Sequence, residues 1–126
     1  MKTSELTGAA LDWAVAKCNG KTLHYFVDDP FKKDPWLTVD GNADQPLHSY
    51  TPSTDWAQAG PVIEREEISV SREFASSRIE WAAWTPAPIR DESEAFGYGP
   101  TPLIAAMRCY VASKLGDEIE TPEELK

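Results

Sequence analysis

The stretch that most constrains the fold of this chain is residues 50–67, YTPSTDWAQAGPVIEREE, which we name the central segment. Ser53 or Thr54 can cap a helix there, because a side-chain oxygen accepts the hydrogen bond that an early helix amide cannot make within the helix. Asp55 then adds a negative charge at the positive end of the helix dipole. Gly60–Pro61 predicts a break, since proline lacks the amide donor that a helix interior needs. We therefore expect two short helical pieces.

Two longer helices are predicted on either side of the central segment. The first covers residues 3–20, is apolar on nearly every side, and has Thr7 as its candidate N-cap and Gly20 after its last turn. The second begins at Thr101, where threonine followed by proline is typical of a helix start, and ends at Gly116. Apolar residues recur along it at intervals of three and four, which predicts a stripe that packs on a sheet.

Strands are predicted between these helices from the alternation of apolar and polar residues. The first run carries Leu23, Tyr25 and Val27, and a short second strand covers residues 36–39 within a stretch rich in turn-forming residues. Two further runs, separated by a short polar turn, predict a β-hairpin over residues 68–84. Its core-facing residues are expected to be Ile68, Val70, Ile79 and Trp81.

The end of the hairpin leaves a tryptophan with two possible roles. Trp84 falls on the face opposite Trp81, because successive side chains of a strand point to opposite faces. It is either an exposed aromatic platform for binding or a residue covered by the loop that follows. That loop is predicted over residues 85–100, TPAPIRDESEAFGYGP, where proline, glycine and acidic residues dominate.

Together these elements predict a single domain, residues 1–126, of the α+β class. A small, mostly antiparallel sheet carries the two main helices on one face, with the short broken central helix at its edge. Residues 117–126 are rich in acids and are expected to form a short strand or a frayed tail for which Ile119 is the one anchor.

The charge and the composition argue against several function classes. A net charge of −9 and a pI near 4.6 disfavour direct nucleic-acid binding, which depends on Lys and Arg against phosphates. No apolar run approaches the roughly 20 residues of a membrane helix, and the first residues do not resemble a signal peptide, so we expect no membrane contact and a cytoplasmic location. Cys18 and Cys109 lie in apolar helical patterns, which predicts buried free thiols rather than a metal site.

The candidate anion site is the entry to the last helix, because free amides and the helix dipole attract phosphate or carboxylate at a helix start. Gly99 and Thr101 lie at this entry, and Arg108 follows two turns later. The alternative is an ordinary capped helix entered through a glycine turn.

No phosphate-binding, dinucleotide-binding, zinc-protease or serine-hydrolase motif is present, so a hydrolase would depend on the carboxylates alone. Those carboxylates are Asp55, Glu64, Glu66, Glu67 and Glu80.

Three blocks of the chain resemble the NinX-type family of small phage proteins. They are the opening MKTSELTGAALDWAVAKCNG, the central YTPSTDWAQAGPVIEREEISV and the closing GPTPLIAAMRCYVASKLGDEIE. The family usually has a second glycine before Gly60, where this chain has Ala59. The resemblance implies a bacteriophage or prophage accessory protein acting in the bacterial cytoplasm, with no catalytic residues and no cofactor to transfer.

Three functions remain open from the sequence. The first is a non-enzymatic binder of a small anionic, nucleotide-like ligand, which by analogy counters host defence. The second is an acidic interaction module that docks a basic host or phage protein, and the third, weaker one is a carboxylate-based hydrolase. A homo-oligomer fits either of the first two. The residues predicted to bind the ligand are Ser53, Thr54, Asp55, Trp56, Arg65, Trp84, Gly99, Thr101 and Arg108.

Overall fold

Helices and strands follow one another along the chain in this computed structural model, which describes residues 1–31, 34–75, 78–86 and 95–125. Three α-helices and six strands lie within those ranges, so the predicted α+β class is confirmed. In chain order they are α1 (Gly8–Cys18), β1 (Thr22–His24), β2 (Trp36–Val39), β3 (Asn42–Pro46), α2 (Trp56–Arg65), β4 (Ser69–Ala75), β5 (Arg78–Trp84), β6 (Phe96–Gly99) and α3 (Pro102–Leu115).

The six strands form two antiparallel sheets rather than the single predicted sheet. The first sheet has the order β1-β2-β3, and β2 is the strand predicted over residues 36–39. Asp40 and Gly41 connect β2 to β3, and both have positive φ angles (53° and 82°). Two such residues make the tight turn whose twist matches that of paired strands. β1 is shorter than predicted: it ends at His24, and Val27 beyond it is exposed.

The second sheet has the order β4-β5-β6 and contains the predicted hairpin. Ile68 is buried, and Val70 and Trp81 pack against the core, as predicted. The side chain of Ile79 lies outside the described residues. The predicted loop over 85–100 is wrong at its end, because residues 96–99 form β6 along β5; residues 87–94 of that loop lie outside the described ones.

Helix α3 lies across one face of the second sheet and also contacts α1. Gly97 allows the closest approach, because a Cβ atom there would lie 2.2 Å from the carbonyl oxygen of Ala105 and 2.4 Å from the amide nitrogen of Cys109. The two helices fill the core mainly with small and aliphatic side chains, and Trp13 is buried among them. The other buried apolar residues of α1 and α3 are Ala10, Leu11, Ala14, Val15, Ala16, Leu103, Ala105, Ala106, Met107, Cys109, Tyr110 and Val111.

The end of α1 confirms the role predicted for Gly20. Its φ angle is +81°, a conformation that glycine adopts without a steric penalty. The Gly20 amide donates to the Lys17 carbonyl (3.1 Å) and the Lys21 amide to the Ala16 carbonyl (2.9 Å), so the last carbonyls of the helix are satisfied. α1 starts at Gly8, later than predicted. Thr7 is its N-cap residue, although the Thr7 side chain makes no capping hydrogen bond.

The two ends of the chain pair with each other. The Thr3 amide donates to the Asp117 carbonyl (2.8 Å), and the Ile119 amide donates to the Met1 carbonyl (3.0 Å). Ile119 is buried, as predicted, but it is not the one anchor of the tail, because Leu125 also packs against the core. Residues 117–119 therefore lie against residues 1–3 beside α3.

The predicted break in the central segment is wrong, because α2 runs without interruption from Trp56 to Arg65 with Pro61 inside it. Proline removes one amide donor, but its fixed φ angle is compatible with a helix. The steric restriction on the preceding residue comes partly from that residue's Cβ atom, which Gly60 lacks. Gly60 and Pro61 together therefore allow the helix to continue.

Candidate functional site

A cavity of about 270 Å³ lies between the start of α2 and the start of α3. Its lining is mostly apolar, with hydroxyl groups contributed by the two helix entries. The lining residues are Ser53, Thr54, Trp56, Thr101, Pro102, Leu103 and Ile104. The cavity thus brings the central segment together with the entry to the last helix, two regions that the sequence analysis nominated separately.

Four of the nine predicted ligand-binding residues line this cavity: Ser53, Thr54, Trp56 and Thr101. The other five do not line it. Asp55 caps α2, Arg65 lies at the far end of that helix, Gly99 is buried in β6, and Trp84 and Arg108 belong to the second sheet and to the middle of α3.

The cap of α2 is Asp55, whereas the sequence predicted Ser53 or Thr54. The Asp55 carboxylate accepts a hydrogen bond from the Ala57 amide at 2.9 Å. Thr54 instead donates its hydroxyl to the Thr51 carbonyl at 3.4 Å within the turn before the helix. Gln58 reinforces this turn, since its amide group donates to the Asp55 carboxylate at 3.0 Å.

Ser53 is held in place by an acid that the sequence analysis did not nominate. Asp12 of α1 is buried, and its carboxylate accepts the Ser53 amide at 2.9 Å. Burial raises the pKa of Asp12, while the amide and the hydroxyl of Ser53 oppose that shift. The Ser53 hydroxyl is itself buried and makes no hydrogen bond of ordinary geometry with the described residues. An acid within the apolar pattern of α1 was the sequence signal for this contact.

The start of α3 is built as predicted. The Thr101 hydroxyl accepts the Ile104 amide at 3.1 Å, and Pro102 occupies the first turn. The glycines before it do not form an anion-binding turn, because Gly97 and Gly99 belong to β6 and pack against α3. Gly99 therefore contributes close packing at this helix start.

Arg65 belongs to a polar network at the other end of α2. Its guanidinium group donates to the Glu66 carboxylate, to the Asn19 side-chain oxygen and to the Tyr110 hydroxyl, each at 3.0 Å. It also lies over the Tyr110 ring, 5.7 Å from the ring centre. Lys114 completes the cluster with an ion pair to Glu66 at 2.9 Å, and these contacts lower the pKa of Glu66. Arg65 thus ties α2 to α1 and α3.

Arg108 has a comparable structural role on the opposite side of α3. Its Nε atom donates to the Leu6 carbonyl at 2.8 Å, and its Nη1 atom donates to the Tyr98 carbonyl at 2.7 Å. It therefore connects the start of the chain to β6. Neither predicted arginine lines the cavity between α2 and α3.

Comparison with known families gives a match over most of the chain. The family described as Bacteriophage P22, NinX matches residues 2–114. The chain belongs to this family. Comparison with curated proteins finds no match. Membership in the NinX family makes this a phage protein and confirms the resemblance carried by the opening, central and closing blocks.

The NinX-family chain also exposes aromatic side chains that the sequence analysis placed in a loop. In β6, Gly97 and Gly99 face α3, so Phe96 and Tyr98 point to the other side of the sheet, and each is 52% exposed. They pair with Trp84 and Ala82 of β5, respectively, which places half-buried Trp84 on the same face. We name Trp84, Phe96 and Tyr98 the aromatic face. Alternation of apolar and small residues in FGYG was the signal for this strand.

The cysteines and the candidate metal ligands are the remaining reactive groups in the described part of the NinX-family chain. Cys18 and Cys109 are free thiols, and burial raises their pKa values to about 11 and about 12, which keeps them unreactive at neutral pH. Within the described ranges no three His, Cys, Asp or Glu side chains come together as metal ligands. No helix in that part of the chain is long and apolar enough to cross a bilayer.

Proposed function

We propose that this NinX-family protein is a non-enzymatic phage accessory protein of the bacterial cytoplasm that binds a small anionic, nucleotide-like ligand. The binding place is the cavity between the starts of α2 and α3. The observation that carries the proposal is the meeting of two helix N-termini at one cavity, lined by Ser53, Trp56 and Thr101. A helix N-terminus attracts anions, because its first amides lack partners within the helix and its dipole is positive there.

Each helix start retains an amide that its cap does not use. Asp55 takes the Ala57 amide and Thr101 takes the Ile104 amide, which leaves the amides of Trp56 and Leu103. The buried hydroxyl of Ser53 adds a further donor beside them. These three groups can meet the oxygens of a phosphate or carboxylate group without a basic side chain.

The size of the cavity and the exposure of Trp56 support a ligand with a ring outside the cavity. A volume of about 270 Å³ lies just below the roughly 300 Å³ at which pockets for drug-sized ligands begin. It therefore accommodates the anionic group rather than a whole nucleotide. The Trp56 side chain is 58% exposed and can stack on the ring that remains outside.

Calorimetry with a panel of linear and cyclic nucleotides, and with inorganic phosphate, tests the proposal. We expect binding at micromolar concentrations for a ring-bearing anion and loss of at least tenfold in affinity with Trp56→Ala. Phe96→Ala is the matched control, because that ring is similarly exposed but lies on the aromatic face. Absence of binding at tens of micromolar, or equal affinity of the Trp56→Ala variant, would overturn the proposal.

A second candidate function is the acidic interaction module for a basic host or phage protein. The aromatic face favours it, because exposed aromatic side chains are enriched at protein interfaces and attract arginine. The net charge of −9 favours a basic partner in the same way. Affinity for such a partner should fall as salt is raised. The hydrolase receives no support from the cavity, whose seven lining residues carry no carboxylate.

Light scattering of the full chain with and without ligand addresses the possible homo-oligomer. An oligomer that forms on ligand addition would place the ligand between copies. A monomer in both conditions would restrict the binding place to the cavity within one chain.

A further inference from the structure

Strand β6 lies at one edge of the second sheet and presents a side that β5 does not use. Among the strands that the structure describes, the sheet order β4-β5-β6 leaves β6 with one neighbour. The Thr85 amide donates to the Ala95 carbonyl at 3.1 Å, so the backbone groups of Ala95 point toward the chain that continues from β5. Because bonded and non-bonded pairs alternate along an antiparallel ladder, Gly97 and Gly99 also bond β5, whereas the backbone groups of Phe96 and Tyr98 point away from it.

One contact confirms the direction of these groups. The Tyr98 carbonyl accepts a hydrogen bond from Arg108, which lies on the outer side of β6. Among the described residues, three of the outward groups make no hydrogen bond: the Phe96 amide, the Phe96 carbonyl and the Tyr98 amide. An edge with unused donors and acceptors is a template for another strand.

A groove of about 320 Å³ runs beside this edge. One wall is β6 with Arg108, and the other is the paired ends of the chain, which contribute Lys2, Asp117 and Glu118. The pairing of Lys2 with Glu118 fixes this second wall, so the groove is a built feature of the fold. Its opening lies next to the exposed rings of Phe96 and Tyr98.

We propose that β6 accepts an extended segment of a basic partner protein as a fourth strand of the second sheet. Backbone hydrogen bonds to Phe96 and Tyr98 supply the pairing, and alternate apolar side chains of the segment pack beside those two rings. Within the groove, Lys2 and Arg108 balance the charges of Asp117 and Glu118, so the preference for a basic segment rests on the net charge of −9 for the whole chain. The inference specifies the second candidate function and does not involve the cavity between α2 and α3.

Charge selects the partner over a second copy of this chain. Two chains that each carry a net charge of −9 repel one another, which opposes pairing of two β6 edges. A basic segment instead reduces the charge of the complex. Electrostatic steering also increases its rate of association, an effect that weakens as salt is raised.

Amide hydrogen exchange of the full chain tests the edge without any partner. We expect fast exchange at the amides of Phe96 and Tyr98 and slow exchange at those of Gly97 and Gly99. Protection of all four amides in dilute protein would show that the edge is already covered and would overturn the proposal. Protection that appears only as the protein concentration rises would indicate a second copy of the chain at the edge and would overturn it as well.

Nuclear magnetic resonance titration with two synthetic peptides tests the partner. One is a six-residue peptide of alternating arginine and valine, and the control alternates glutamate and valine. We expect the basic peptide to shift the amide signals of Phe96 and Tyr98 and to slow their exchange at millimolar concentration, and the acidic peptide to do neither. Equal effects of the two peptides, or no effect of the basic one, would contradict the proposal.

Two substitutions at one position separate edge pairing from contact with the ring. Tyr98→Ala keeps the outward amide, whereas Tyr98→Pro removes it without removing a hydrogen bond to β5. We expect Tyr98→Pro to reduce the affinity for the basic peptide at least tenfold more than Tyr98→Ala does. Equal weakening would mean that the peptide binds the aromatic face alone, which would overturn the edge while leaving the second candidate function in place. Unchanged chemical shifts in β4 and β5 verify that each variant is folded.

Discussion

The central segment and strand β6 use their polar groups in opposite ways. In the central segment several polar groups bond to other parts of the molecule or to the turn before α2: the Ser53 amide to Asp12, the Gln58 side chain to that turn, and Arg65 to Tyr110. β6 instead exposes the rings of Phe96 and Tyr98, and of their outward backbone groups only the Tyr98 carbonyl has a hydrogen-bond partner among the described residues. The segment with the most distinctive sequence is therefore mainly architectural, and the strand hidden in a glycine-rich stretch offers a free surface.

This difference separates two sources of constraint on the sequence. The central segment is constrained because it must join α1, α2 and α3, which it does through hydrogen bonds at fixed positions. β6 is constrained on one face only, where Gly97 and Gly99 must let α3 approach. Its other face is free to vary in chemistry, which is the condition under which a surface can specialise for a partner.

Gly97→Ala should produce the largest loss of stability and would show how tightly β6 is bound to the core. The new Cβ atom would lie 2.2 Å and 2.4 Å from backbone atoms of α3, so the helix must move. We expect a loss of about 3 kcal/mol or more in the free energy of unfolding, measured by urea titration. Gly99→Ala is the graded control: its nearest contact is the Ile104 side chain at 2.8 Å, which can yield. Equal losses would contradict the backbone contact at Gly97.

Asp12→Ala tests whether the central segment depends on its buried acceptor. The substitution leaves the buried Ser53 amide without a partner, and we expect a loss of about 2 kcal/mol. Asp12→Asn keeps an oxygen acceptor and should cost less. Because burial raises the pKa of Asp12, the folded state holds the Asp12 proton more tightly than the unfolded state does. The contribution of Asp12 to the stability of the wild-type protein therefore falls as pH rises above 3.8. The deficit of Asp12→Asn should therefore shrink over that rise, and a deficit that grows would be the contrary result.

Glu66→Gln tests the polar network that holds the end of the central segment. Contacts with Lys114 and Arg65 lower the pKa of Glu66 in the folded state, so the unfolded chain binds its proton more readily. The stabilisation is present above the ordinary pKa of 4.5 and is lost as pH falls through the lower folded value. We expect Glu66→Gln to cost about 1 kcal/mol at neutral pH and little at pH 3, measured by denaturant titration. A cost independent of pH would contradict an ionic origin, and Lys114→Gln provides the matched comparison.

The sequence predicted helices better than it predicted strand pairing, for a physical reason. Helix starts and ends are local, and Thr101, Gly20 and Gly116 identify them through caps and φ angles that neighbours along the chain determine. Strand partners are distant, and β3 and β6 both lie in stretches rich in turn-forming residues. The Asp40–Gly41 pair was a usable signal for the first of these, since two such residues favour a tight hairpin turn.

The candidate site was only partly accessible from sequence. Thr101 and the central segment could be nominated because their capping chemistry is local, and their meeting at one cavity is a consequence of how α2 and α3 pack. Arg65 and Arg108 were predicted as ligand-binding residues for their charge, but each bonds to a distant part of the chain. Arg65 bonds to Tyr110, 45 residues away, and Arg108 bonds to Leu6, 102 residues away. No local pattern encodes such distant partners. The break predicted at Pro61 was wrong for a different reason. A glycine before the proline removes the Cβ atom that would otherwise clash, and this steric effect is specific to the Gly60–Pro61 pair.

Trp56→Ala should have the smallest effect on stability and the most direct effect on the comparison between the two regions. Its ring is 58% exposed at the start of α2, so little packing is lost, and we expect the free energy of unfolding to change by no more than about 0.5 kcal/mol. Phe96→Ala, whose ring is 52% exposed on β6, should change it by a similarly small amount. If Trp56→Ala is costly, the ring contributes to the architecture of the central segment. If both variants are stable, loss of ligand binding by Trp56→Ala and loss of peptide binding by Phe96→Ala would place one function in each region.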